Sequence, residues 1–555
     1  MLLFQDVNKE ITMLCEKLIK ISLVYIALMA INSYGNTFDI WWSSQPLDNG
    51  SIYEQQKPSK AVDNISLKAP QNYVVYAALM IRNNSETLLT VTPSLANKAL
   101  LNNIILHDTA SIRSRGKILF ADILPTLSSN DLLFIPAKET RQLFFEINTK
   151  GLHSGLYNSP VHLSNMDSSI AASANIQLEI TNLKLPQKPT MDMLVWDCSL
   201  RLIKDHEYAE KLAKVLGEAG IDTFHVLETI DIKFNKEGAI VEIPDFSKLD
   251  FVLDIIKPYS NFALLRGCRV FVQQGNASSD PNQRKKKLAT MPAVDGAIEY
   301  NSPAWHNALR HYIKVLSSHM TQKGWTKDEW AFYPYDEYIG VYFSEFAQAV
   351  KKIDPEIMIF ANSEKAGTKE ALSEKVKNEV DLFTPFDQSY YNQKDRELYE
   401  EFKPYLKKRW SYFCPWAQLG ISPTRKYRIM GWNTFVWGID GAAYWSATGL
   451  DGIHFSGDPW DDTDGKNSNE TTLYITDGNV IQSRRWMGVK AASRDHALFI
   501  TAQKLAQQWP DSHPNKIPLL KLLNKDIPVE ITKTRPDIMM DYLQQIIDLT
   551  SMEKE

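Results

Sequence analysis

The sequence predicts an α/β chain: a (β/α)8 TIM barrel over residues 190–508, preceded by an N-terminal β-sandwich domain over residues 36–185. Three observations carry this. Before Lys184, short apolar segments alternate with period two. After Pro189, apolar runs alternate with helical stretches. Those runs number eight over about 260 residues, the size of such a barrel.

In the first region, TFDIWWS, YVVYAALMIRN, LLTVTPSL, NNIILHDTA, RQLFFEINT and ANIQLEITNL read as strands separated by Asn, Ser, Pro and Gly clusters. The alternation is plainest from Asn175 to Ile180. Two prolines make Leu185 to Pro189 an extended linker. The eight barrel strands are read at 193–198, 222–228, 261–274, 330–337, 357–363, 381–387, 409–416 and 441–448. Helical stretches separate them, EYAEKLAKVLGEAG, AWHNALRHYIKVLSSHMTQKG and VYFSEFAQAVKKID among them. A doubly wound sheet is the rival; the count of eight and the polar, aromatic strand ends favour the barrel. Arg484 to about Gln508 reads as a closing helix, and residues 509–555 as a helical tail.

At the other end, Lys17 and Lys20 precede an apolar run, Ile21 to Ile31, and then Ser33-Tyr34-Gly35. This is the pattern of a signal peptide over residues 1–35, too short for a membrane span. The expected location is secreted or periplasmic, with no membrane contact beyond that segment. Cys15 precedes the apolar run, and Cys198, Cys268 and Cys414 are too widely spaced for a disulfide framework. A net charge of -5 and a pI near 6.2 exclude the basic footprint of a nucleic-acid protein. The 14 Trp, 23 Tyr and 23 Phe are a generous aromatic supply, of the kind that packs on sugar rings.

Barrel sites lie at the C-terminal ends of strands. There the chain places Asp197, Asp336 with Glu337, Asn362, Asp387, Tyr412 and Trp416, and Trp445. The dipeptide Asp328-Glu329 is an internal control: it precedes its strand, on the rim where residues serve stability. Asp336-Glu337 follows the strand. Neighbouring residues of a regular strand point to opposite faces, but where the backbone turns both can reach one pocket, with different reach. That suits two unequal tasks. Ordinary retaining and inverting glycosidases use carboxyls about 5–5.5 Å and about 6.5–9.5 Å apart flanking the anomeric carbon; substrate-assisted hydrolysis is an exception. In it the substrate's 2-acetamido oxygen attacks, one acid orients the acetamide, and the other protonates the leaving oxygen and then serves as base for water.

The segments YPYDEY, RIMGWNTFVWGIDGAAYWSATGL, DPW and LYITDGNVIQSRRWMGVKAASRDHALF, with GLHSGLYNSPVHL earlier, resemble the catalytic domain and β-sandwich of glycoside hydrolase family 123, over about residues 60–505. The resemblance implies a retaining, substrate-assisted β-N-acetylgalactosaminidase acting on a terminal 2-acetamido sugar of an oligosaccharide or glycoconjugate glycan. It implies Asp336 as the acetamide-orienting stabiliser and Glu337 as the acid/base. Tyr338 stands where the family usually has Pro, and Ser159 where it usually has Gly.

Tyr335, Asn362, Tyr390, Tyr412, Trp416 and Trp445 are the candidate substrate-binding residues: Trp445 as a stacking floor, Tyr390 on the acetamide oxygen, Asn362 on a sugar hydroxyl. No cofactor and no metal are expected, since Asp458 to Glu470 lacks the spacing of a calcium loop and there is no phosphate loop, dinucleotide fingerprint or HExxH. The run Arg284 to Lys287 reads as a solvated face that could meet an anionic glycan. The alternatives are a glycosidase for a non-acetamido or anionic glycan and a non-catalytic glycan-binding envelope protein.

Overall fold

The computed structural model describes residues 38–48, 50, 52–113, 119–196, 206–272, 290–363, 368–414, 422–448, 471–476, 478–524 and 535–551. The segment 1–35 read as a signal peptide, Asp197, Cys198, the Arg284–Lys287 run, Trp416 and the Asp458–Glu470 loop lie outside the described residues.

Eight parallel strands close into a barrel. They are β1 (Asp192–Val195), β2 (Thr223–Val226), β3 (Phe262–Leu265), β4 (Trp330–Phe332), β5 (Met358–Ala361), β6 (Leu382–Phe383), β7 (Lys408–Phe413) and β8 (Gly441–Tyr444). Each overlaps a run read from the sequence, β1 and β7 beginning one residue before theirs, and β1 closes on β8 through Asp192 opposite Gly441. The helices follow in turn: α1 (His206–Glu218), α2 (Ser247–Ile256), α3 (Pro303–Gln322), α4 (Val341–Ile353), α5 (Lys369–Glu379), α6 (Gln393–Phe402), α7 (Ile429–Trp437) and α8 (Arg484–Gln508).

Period two sorts the β4 side chains. Ala331 and Tyr333 enter the barrel interior with Leu194, Phe360 and Trp410. Trp330 and Phe332 face the helical layer, where Phe332 meets Phe346 of α4 edge-on at 6.0 Å. The ladder continues to the Tyr333 N–H, which donates to the Leu265 carbonyl at 3.0 Å, and stops at Pro334, which has no N–H. Helix α3 shows how the outer layer is specified. Ser302 caps it by accepting from the Trp305 N–H at 3.2 Å, Pro303 opens its first turn, and Trp305, Leu309, Tyr312, Leu316 and Met320 bury one face.

The reading of 261–274 as strand throughout is corrected in its second half. Gly267–Phe271 is a 3-10 helix that buries Cys268 and Phe271. The backbone leaves the extended region at Arg266, with φ −89° and ψ −5°, and apolar residues in such a turn look strand-like in sequence.

Ahead of the barrel, strands Phe38–Trp42, Val74–Asn83, Thr140–Asn148 and Ile104–Asp108 form one sheet. Strands Asn64–Gln71, Ile170–Lys184, Gly155–Ser164, Leu89–Leu95 and Leu133–Ile135 form a second. Leu79, Ile81 and Phe145 of the first share one apolar cluster with Val161, Ile176 and Leu178 of the second. This β-rich region is joined to the barrel by a third sheet, in which Leu119–Leu124 pairs with Asn479–Ser483.

Helix α8 clamps the join with buried charges. Arg485 pairs with Asp122 at 2.8 Å and Lys490 with Glu146 at 2.6 Å. Asp495 accepts from Arg428 at 2.7 Å, Tyr73 at 2.5 Å and Trp432 at 2.8 Å. The tail forms α9 (Lys516–Leu523) and α10 (Pro536–Ser551), which fold back: Asp548 pairs with Lys68 at 3.0 Å.

Candidate active site at the C-terminal rim of the barrel

Past Pro334 the chain turns, and Glu337 adopts φ +48°. A non-glycine residue in this left-handed region costs about 1–2 kcal/mol, so something must hold it. Asn362, just beyond β5, does so: its Oδ1 accepts from the Glu337 N–H at 2.9 Å. The other end of the same amide donates to Asp336 Oδ1 at 3.1 Å. One side chain from the next strand therefore fixes both acids, and the turn at Glu337 is how consecutive residues come to share one side of the rim.

The two carboxylates have different surroundings. Asp336 Oδ1 also accepts from the Tyr333 hydroxyl at 2.5 Å, and Arg266 Nη1 lies 3.7 Å from Asp336 Oδ2. Tyr333 is fully buried in the barrel interior, and its hydroxyl accepts from Trp196 Nε1 at 3.1 Å. Burial, and then the charge on Asp336, push this hydroxyl well above the usual tyrosine range, so it remains a donor. Glu337 instead accepts from the Tyr412 hydroxyl at 2.6 Å. Tyr412 points inward from β7 and packs on Trp196 and Phe386 at 5.3 and 5.2 Å; burial and then its bond to Glu337 raise its hydroxyl as well. Both acids remain exposed at their open sides. They are thus aimed outward by neutral donors from below.

Of the residues singled out in the sequence, the structure brings Asp336, Glu337, Asn362 and Tyr412 into one hydrogen-bonded frame. Trp445 is half-buried over the same interior cluster that holds Tyr412. Tyr335 turns toward Tyr338, ring to ring at 5.4 Å, and packs against the layer between barrel and helices. Tyr390 lies in that outer layer, stacked on Trp437 at 4.7 Å, with its hydroxyl on the Trp410 carbonyl at 3.4 Å. Tyr333 and Arg266 were not singled out. The inward parity of Tyr333 with Ala331 and the place of Arg266 at the end of β3 are the signals that could have found them.

The control pair behaves differently. Glu329 completes a capping box with Thr326, and Asp328 pairs with Lys407 at 3.2 Å, all at the opposite rim. Among the described residues no group of three His, Cys, Asp or Glu side chains could hold a metal ion, and no helix is long and apolar enough to cross a membrane.

A parallel eight-stranded barrel that presents two carboxylates on a rigid frame at its C-terminal rim is an arrangement that glycoside hydrolases use. Residues 255–499 match the model of the glycoside hydrolase 123 catalytic domain. That match spans 245 of the 555 residues and most of the barrel, so the barrel segment is similar to a glycoside hydrolase 123 catalytic domain. A solved family 123 glycoside hydrolase from Clostridium perfringens, described through glycolipid glycan hydrolysis, shares the fold with a TM-score of 0.66 at 14% identity, over 92% of this chain and 97% of that one. An endo-1,4-β-mannanase from Rhizomucor miehei aligns at a TM-score of 0.31 and 9% identity, over 48% of this chain and 88% of its own. A GH2 β-galacturonidase from Eisenbergiella tayi aligns at 0.33 and 10%, over 82% and 71%. Both are too distant to bear on the site. No curated protein matches the sequence.

Proposed function

We propose that the protein releases terminal β-linked N-acetylgalactosamine from glycans with retention, by substrate-assisted catalysis. The observation that carries this is the adjacent acid pair, held by one Asn362 amide yet supplied with different partners. Asp336, fixed by Tyr333 and Asn362, orients the substrate's 2-acetamido group and stabilises the positive charge developing on its nitrogen. The acetamide oxygen bonds to the anomeric carbon as the glycosidic bond breaks, and the leaving oxygen takes the proton of Glu337. Glu337 then removes a proton from the water that opens the cyclic intermediate. The Tyr412 hydroxyl steadies Glu337 in both steps.

The glycolipid glycan in the description of the Clostridium perfringens enzyme supports a glycoconjugate as the substrate class. Trp445, over the interior cluster, is the proposed stacking floor of the sugar site. The two facing N-terminal sheets with their common core are read as the accompanying β-sandwich, and the basic and apolar run before Gly35 supports export.

The test is a panel of aryl β-N-acetylgalactosaminide, β-N-acetylglucosaminide and β-galactoside. Release from the first alone is expected. Release from the galactoside alone contradicts the acetamide mechanism, and silence on all three favours a glycan-binding role.

A further inference from the structure

We propose that Arg266 is a positioning residue for Asp336, and through it for the 2-acetamido group of the substrate; this rests on the functional reading above. The main chain fixes where Arg266 stands: its N–H donates to the Val226 carbonyl at 2.8 Å, continuing the β2–β3 ladder one residue past β3. Its guanidinium lies over the Tyr333 ring, 4.4 Å from the centroid. The side chain is only 8% exposed, and among the described residues its one ion-pair partner is Asp336, at 3.7 Å. Its Nε and Nη2 atoms are buried and find no hydrogen-bond partner among those residues.

A buried guanidinium with two donors unmet is costly to keep, and a side chain serving packing alone would avoid that cost. What the charge does here is divide the two oxygens of Asp336. Oδ1 is occupied twice, by Tyr333 and by Asn362. Oδ2 accepts no hydrogen bond among the described residues and faces the guanidinium across a gap too long for one. The three contacts set the plane of the carboxylate and leave Oδ2 to receive the acetamide N–H. Arg266 touches Asp336 and Tyr333, not Glu337, so its influence runs through one acid only.

That asymmetry makes the test. Arg266→Met, Arg266→Lys, Asp336→Asn and the double variant Arg266→Met/Asp336→Asn are assayed on two aryl β-N-acetylgalactosaminides, one with a poor leaving group and one with a leaving group that needs no proton. Melting temperatures are recorded for each. Arg266→Met is expected to lower kcat by about 100-fold, the scale set by a small misplacement of a reacting group, with KM changed by less than about threefold. The loss should be equal on both substrates, Arg266→Lys should recover part of it, and the double variant should be no slower than Asp336→Asn alone. Losses that multiply in the double variant, or a loss confined to the poor leaving group, would overturn the inference while leaving the reading of the site intact. So would melting temperatures that fall in step with kcat in both Arg266 variants. A parent enzyme silent on both substrates would overturn the reading, and the inference with it.

Discussion

Asn362→Asp separates the two ends of the bridge between the acids. The substituted side chain keeps its shape and an oxygen to accept from the Glu337 N–H, 2.9 Å away in the parent. It replaces the amide donor, 3.1 Å from Asp336 Oδ1, with a second carboxylate. Two unit charges that close repel by about 5 kcal/mol at an effective dielectric of about 20, and by about 1 kcal/mol in water. Asp336 is 53% exposed, which sets the repulsion near the lower half of that span, about 1–3 kcal/mol. The lost hydrogen bond to a charged group adds about 1.5–3 kcal/mol. Tenfold in rate corresponds to about 1.36 kcal/mol, so kcat/KM at pH 7 should fall by about 100-fold or more. The assay is kcat/KM on an aryl β-N-acetylgalactosaminide from pH 4 to 8, with thermal melts alongside. Toward low pH the substituted carboxyl takes up a proton, becomes a donor again, and the deficit against the parent should shrink. A rate within threefold of the parent at pH 7, or a deficit constant across the range, would refute the reasoning.

Three further outcomes follow from named contacts. Glu337→Gln should cut kcat/KM for a poor leaving group by about 10³-fold while sparing kcat/KM for one that departs without a proton, where kcat should still fall because ring opening loses its base, as steady-state kinetics on the two substrates will show. At the opposite end of the barrel, burial and then the neighbouring charge of Asp192 push Asp222 up to about 7. Its folded pKa lies above the unfolded value, so between about pH 4 and 7 the native state holds the extra proton and stability falls as pH rises; melts of Asp222→Asn should show a flatter profile and a gain at pH 8. Burial alone would raise Glu146, but Lys490 and His107 outweigh it and bring the carboxyl down to about 2. That contribution is present above the unfolded carboxylate range and is lost as pH falls toward 2. Lys490→Met, which strands the buried carboxylate, should destabilise the protein by about 3–5 kcal/mol in chemical denaturation at pH 7.

The barrel was legible because parallel strands covered on both faces read as continuous apolar runs, and helices between them read with a different period. Helix α8 spans the segment expected from Arg484 onward, yet its buried Arg485, Lys490 and Asp495 carry no sign in sequence of the residues they meet. Those partners, Asp122, Glu146 and Tyr73, lie more than 300 residues away.

The same limit applies at the site. The acid pair was visible because a strand end is a local feature, whereas Arg266 meets Asp336 only because its strand pairs beside β4, and Tyr333 reads in sequence as one more buried strand aromatic, its hydroxyl bond to Asp336 showing only in the fold. Tyr390 and Tyr412 looked alike as tyrosines near strand ends. Tyr412 is within β7 and points inward to Glu337, while Tyr390 ends a single helical turn after β6 and points into the helical layer. The turn at Glu337 was likewise silent, since its left-handed backbone is imposed by Asn362 from the next strand and not by a glycine.

The central claim is that the substrate's own acetamide oxygen is the nucleophile. Progressive fluorination of the N-acyl group weakens that oxygen without altering the leaving group. The account predicts that kcat/KM on aryl β-N-acetylgalactosaminides falls steeply from acetyl through monofluoroacetyl to difluoroacetyl. Rates independent of fluorine content would show that a protein carboxylate or water attacks instead, and would contradict the assignment of Asp336 and Glu337.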